Sequence, residues 1–232
     1  MKSAVVLFGL FLATSLITLA EIESEIPLGI EAVTGIRSDY VHRGFQLAES
    51  SLDYQIESEL VLSEKTSLHF GLSHLAESSG SFSETSGYFE VSRAIGKTFT
   101  LGASLTYRDR NESLLDGGFD LGLFSELAMN DNWSWNNRLN FDLGVDGIYF
   151  SSALVWSKVL TDDAFFSIES GLSAVSGYLD RDGLNDFHSR LTLTYALSDQ
   201  ISFTPFLGTS LQIDDRSARD IFYGGLWFEV IF

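Results

Sequence analysis

The chain has 232 residues, no cysteine, two prolines and a formal charge of −18. Such acidity argues against nucleic-acid binding, which needs basic surface against phosphate; the lack of cysteine excludes disulfides, cysteine-based metal sites and cysteine nucleophiles. Beyond Leu19 no apolar run approaches the roughly 20 residues of a spanning helix, whereas 19 Phe and 20 Gly suit many strands joined by tight turns.

In chain order, Lys2 followed by the apolar stretch 4–19 and the small-residue site around Ala20 reads as a secretory signal peptide over residues 1–20, leaving a mature chain of 21–232. An uncleaved anchor fits less well, because the run is short and Glu21, Glu23 and Glu25 follow it.

Four segments alternate cleanly between apolar and polar residues, the signature of a strand with two unlike faces. Residues 51–62 set Leu52, Tyr54, Ile56 and Leu60 against Asp53, Gln55, Glu57 and Glu59. Residues 98–108 set Phe99, Leu101, Leu105 and Tyr107 against Thr100, Ser104, Thr106 and Arg108. Residues 133–145 set Trp133, Trp135, Leu139 and Phe141 against Ser134, Asn136, Arg138 and Asp142, and residues 187–197 set Phe187, Leu191, Leu193 and Tyr195 against His188, Arg190, Thr192 and Thr194. Eight less regular segments have similar length: 28–40, 67–76, 87–95, 118–128, 148–159, 165–178, 201–211 and 221–232. A tilted membrane strand needs about 9–11 residues.

Short polar connections at 63–66, 96–97, 130–132, 161–163 and 198–200 take turns with mostly longer ones at 41–50, 77–86, 109–117, 179–186 and 212–220, the exception being the two-residue signal Asp146-Gly147. This predicts an all-β, transmembrane, antiparallel up-and-down β-barrel of about twelve strands in the bacterial outer membrane, with short periplasmic turns and longer extracellular loops. Phe99, Trp133, Trp135, Phe165, Phe166 and Phe203 fall at the periplasmic girdle, and Tyr40, Tyr54, Tyr107, Tyr178 and Phe187 at the outer one. The same aromatics also fit the core of a soluble sandwich. The last stretch, Gly225 to Phe232, resembles the C-terminal assembly signal of outer-membrane barrels, which implies the barrel-assembly machinery as a partner.

Carrying the strand phases through the chain turns Glu31, Asp39, Asp53, Glu57, Glu59, Glu90, Asp120, Glu126, Asp142, Glu169 and Glu229 inward, with Arg37, Arg108, Arg138 and Arg190. Carboxylate rings around water favour cations; the same groups also fit a salt-bridged plug. Glu57 and Glu59, with no neighbouring base in sequence, are the leading wall charges. Arg37 and Asp39 either pair structurally or line a constriction.

Other chemistry is faint. Ser73 and His74 are adjacent in a strand and point to opposite faces, so they do not form a nucleophile–base pair. The stretch 180–186 has calcium-loop-like oxygen spacing without the later bidentate Glu, and also reads as an ordinary polar loop. Asp214-Asp215-Arg216 and Arg219-Asp220 have the charge to meet lipopolysaccharide phosphates or divalent ions. No cofactor and no enzyme signature is legible.

Near the first hairpin stands Ser38-Asp39-Tyr40-Val41-His42-Arg43-Gly44-Phe45-Gln46. It resembles the Ser-Asp-Tyr-x-x-Arg-Gly signature of the TorF-like porin family. His42 stands where the family commonly has an aromatic, and Leu47-Ala48-Glu49-Ser50 replaces its Ser/Asp/Asn-rich continuation. The resemblance implies a barrel of this size in the outer membrane, and a passive channel for small solutes. A non-conducting barrel with a plugged lumen and binding loops is the alternative, since narrow barrels can be filled by their own side chains.

Overall fold

A computed structural model describes residues 28–111, 113–213 and 219–232. Residues 1–20, read above as a signal peptide, and Asp214-Asp215-Arg216 lie outside the described residues.

Twelve strands form: β1 (Leu28–His42), β2 (Phe45–Ser63), β3 (Thr66–Glu77), β4 (Ser83–Ile95), β5 (Phe99–Asn111), β6 (Gly118–Ala128), β7 (Trp133–Asp142), β8 (Gly147–Thr161), β9 (Ala164–Tyr178), β10 (Arg181–Ser198), β11 (Ile201–Gln212) and β12 (Ile221–Ile231). Each pairs antiparallel with its chain neighbours, and β12 closes on β1 with Glu31 opposite Ile231 and Arg37 opposite Gly225. Closure is what the alternation demands, because an open edge in hydrocarbon would leave backbone groups without partners.

Within the regular ladders the two faces are sorted between apolar and polar. Ile56, Leu72 and Leu207 stand outward and are 61%, 69% and 66% exposed, which is sensible only against lipid. Trp133 and Trp135 lie outward beside the β6–β7 turn, while Tyr54 and Tyr107 lie outward toward the opposite rim. Short turns join the strands at the end where β1 begins and β12 finishes, here termed the turn end; the opposite rim is the loop end.

Two connections expected to be long loops are instead strand. β2 runs 19 residues and β10 runs 18, longer than a bilayer requires. Their extra length stands above the lipid, where neither face meets hydrocarbon and the apolar alternation lapses. Each extension closes in a two-residue turn with both residues left-handed: Arg43 (φ 54) and Gly44 (φ 82), and Leu179 (φ 48) and Asp180 (φ 60).

The extended first hairpin does not continue the cylinder. Ser50 takes φ 38, and the β1–β2 ladder shifts register between Tyr40 and Val41, leaving Leu47 without a ladder partner. Such irregularities bend and twist a strand pair, and this one folds inward over the loop-end mouth. Both buried apolar clusters form around it. Phe45 packs with Leu115, Val175 and Tyr178, and Ala48 packs with Leu75 and Phe82.

Candidate functional site

The tip of the β1–β2 hairpin crosses the mouth of the barrel. In a ring of twelve, β7 and β8 lie opposite β1 and β2, and that is where Arg43 reaches. Its guanidinium donates to Asp120 of β6, to Asp142 of β7 (2.9 Å) and to the Tyr178 hydroxyl of β9, and lies 5.2 Å from the centre of the Tyr149 ring of β8. The backbone of the tip is held as well. Asn185 Nδ2 of β10 donates to the Arg43 carbonyl (2.9 Å), and Gln212 Nε2 of β11 donates to the Gly44 carbonyl (2.8 Å). Gly44 is required twice over, for its left-handed backbone and because a Cβ there would strike the Asn185 amide.

The cradle around Arg43 is positioned by its own wall. Asp120 accepts from Asn140 Nδ2 (3.1 Å) and Arg108 Nη1 (2.8 Å), and Asp142 Oδ1 accepts from the backbone N–H of Gly144 (3.0 Å) and Val145 (3.4 Å). Tyr178, with no exposed surface, donates to Asp142 Oδ2 (3.0 Å) and stacks on Phe45. Two satellite clusters complete this rim. Glu84 takes Arg110 Nε (2.6 Å) and the Tyr40 hydroxyl (2.9 Å), with Arg108 alongside at 3.9 Å. Asp186 accepts from the hydroxyls of Ser173 and Ser210. Buried charge persists only when matched in this way.

Below the tip the lumen holds two polar cavities. One, of about 370 Å³, is bordered by Glu31, Arg37, Asp53, Glu57, Glu84 and Glu229. The other, of about 570 Å³, is roofed by His42 and Arg43 and bordered by Glu90, Glu126, Arg138 and Glu169. Charge is matched less closely here. Arg37 pairs with Asp53, Arg138 with Glu90 (3.2 Å), and Glu229 accepts from Ser202 (2.6 Å). Glu59 and Glu126 are exposed and hold no ion pair among the described residues. Arg190 stacks over the Phe206 and Trp227 rings at 4.4 and 4.2 Å, opposite Glu169 in the β9–β10 ladder.

Several expectations change. Glu57 is not a bare wall charge: the Tyr88 hydroxyl (2.6 Å) and Gln55 donate to it, and His69 Nε2 stands 3.7 Å away. Asp39 borders neither cavity and accepts from Gln46 Nε2 (2.5 Å), because the strand phase reverses near Ser50. That reversal carries Tyr40 off the outer girdle and into the barrel. Tyr178 moves inside too, since the β9–β10 ladder skips the left-handed Gly177. Asp120, Asp142 and Arg108 face inward but serve the Arg43 network rather than an open wall. Arg110, its side chain 1% exposed, lies in the part of β5 beyond the expected strand. The stretch 180–186 does not close around an ion: Asp182 accepts from Ser176 (2.7 Å), while Asp186 turns into the barrel. His74 points outward to Thr85 (2.9 Å), and Ser73 bonds Ser86 (2.7 Å).

No protein-family model matches the chain, and no curated protein matches it in sequence. Solved structures do match in fold. The chain is similar to the KdgM porin (9% identity, TM-score 0.58, covering 88% of this chain and 99% of that one). It is also similar to the COG4313 outer membrane channel from Pseudomonas putida F1 (11% identity, TM-score 0.56, 90% and 97% covered). A third likeness is to the NanC porin (9% identity, TM-score 0.55, 88% and 98% covered). At such identities the likeness is one of architecture: a closed outer-membrane β-barrel.

Proposed function

We propose that this barrel is an outer-membrane porin-like channel for passive diffusion of small solutes, biased toward cations. The carrying observation is the turn-end half of the lumen. Glu31, Glu57, Glu59, Glu90, Glu126, Glu169 and Glu229 occupy it, against Arg138, Arg190 and an Arg37 already paired with Asp53. Water-filled, such a wall concentrates cations and repels anions. In this reading the turn end faces the periplasm and the loop end the exterior, and the tip around Arg43 sets the narrowest point. The KdgM and NanC likenesses support the class of protein and say nothing of this solute. The stretch from Ser38 to Gly44 supports kinship with TorF-like porins. Contacts with lipopolysaccharide through Arg219 and Asp220, and assembly through the strand ending at Phe232, belong to the same proposal.

Planar-bilayer conductance in a KCl gradient tests it. Steady current reversing toward the K⁺ potential is expected, and Glu59→Gln with Glu126→Gln reduces that preference. A second proposal, a non-conducting plugged barrel, draws support from the tip held across the mouth. It predicts no current from wild type or from Arg43→Ala.

A further inference from the structure

The Arg43 cradle is a complete guanidinium site. It offers two buried carboxylates, a hydroxyl and an aromatic face, contributed by Asp120, Asp142, Tyr178 and Tyr149 on four consecutive wall strands, β6 to β9. Its carboxylates are fixed by Asn140, Arg108 and the Gly144 and Val145 amides, none of which belongs to the hairpin. The two carboxylates therefore keep their places when the tip leaves, and Tyr178, which loses its stacking on Phe45, keeps its hydrogen bond to Asp142. The cradle does not keep its charge balance, because withdrawal of Arg43 leaves Asp142 without a cation and Asp120 with Arg108 alone, and a buried carboxylate stripped of its partner is strongly unfavourable. Only another cation restores the balance, and one with several N–H donors matches these acceptors best. Glu90, Glu126 and Glu169 border the cavity directly beneath, so a cation leaving the cradle inward meets further carboxylates.

We infer that the Arg43 cradle is the entry site for solutes bearing a guanidinium or primary ammonium group, which take Arg43's place and thereby release the hairpin tip from the mouth. The inference rests on the channel reading above. Arg43 is a tethered stand-in for the solute's head group, and the exchange conserves charge in the cradle throughout. A tetraalkylammonium ion has the charge but no N–H, so it cannot replace the four-way contact.

Agmatine is the probe, with tetramethylammonium as control. At millimolar agmatine on the loop side, wild-type conductance rises by about tenfold, the shift produced by roughly 1.4 kcal/mol of differential affinity. Tetramethylammonium leaves it unchanged. Arg43→Lys, with fewer donors in the same place, responds at lower agmatine. Arg43→Ala conducts without agmatine, and agmatine then lowers its current by sitting in the cradle. Calorimetry on the folded barrel in detergent gives a readout free of conductance: Arg43→Ala binds agmatine more tightly than wild type, because the tethered competitor is gone. Equal binding by the two, or equal action of agmatine and tetramethylammonium on a conducting barrel, overturns the entry site and leaves the channel intact. Absence of current from wild type and Arg43→Ala under every condition overturns the channel itself.

Discussion

The two ends of the lumen use the same residue types to opposite effect. At the loop end Arg43, Arg108 and Arg110 meet Glu84, Asp120 and Asp142 in a closed, buried lattice. At the turn end Glu59 and Glu126 stand in the open, and Arg138 is 45% exposed even where it pairs with Glu90. The difference is one of reach. The loop-end arginines sit on a hairpin that crosses the mouth and on the strand extensions it packs against, so charge there is neutralised across the barrel. The turn-end acids project from flat wall toward water. Inward charge in a barrel therefore has no fixed meaning: it closes where a bent element brings the opposite sign, and selects where none arrives.

The contrast breaks most severely at Arg43. Arg43→Ala leaves Asp142 buried without a cation and Asp120 with Arg108 alone, and unfolding in urea shows a loss of about 3–5 kcal/mol. Glu84→Gln weakens the same rim less, by about 2 kcal/mol, because Arg110 keeps an amide acceptor but loses its charge partner. Gly44→Ala forces a left-handed alanine against the Asn185 amide and costs about 1–3 kcal/mol by the same titration. At the other end, Glu59→Gln with Glu126→Gln changes stability by no more than about 0.5 kcal/mol. That double variant moves the reversal potential in a KCl gradient toward zero. The remaining preference of the wild type falls between about 0.1 and 1 M salt, as the screening length shrinks from about 10 to 3 Å. A stability loss at the turn end as large as that at Arg43 would erase the distinction.

What was legible in the sequence follows the lipid. Wherever a strand touches hydrocarbon, one face must be apolar, and four clean alternations, with the matching length and spacing of eight less regular segments, located the twelve strands. Above the lipid that constraint vanishes. Residues 45–50 and 181–186 lack a sustained apolar–polar alternation, yet they are strand, because pairing partners and left-handed turn residues hold them. The stretch from Ser38 to Gln46 stood out, and Arg37 found its acid on the neighbouring strand. Nothing local announces that Arg43 binds residues 77 and 99 positions away. Those contacts depend on the bend near Ser50, a backbone event that a serine does not advertise.

The tip also records an order of events. Its partners are Asp142, Tyr178, Asn185 and Gln212, which lie 99, 135, 142 and 168 positions further along the chain. Contacts so distant in sequence form late, after the intervening segments are in place. The first hairpin is therefore expected to dock only once β6 to β11 are in place to receive it. Protection of that turn from protease is then expected to lag behind protection of the wall strands, and a turn protected before them would overturn this order.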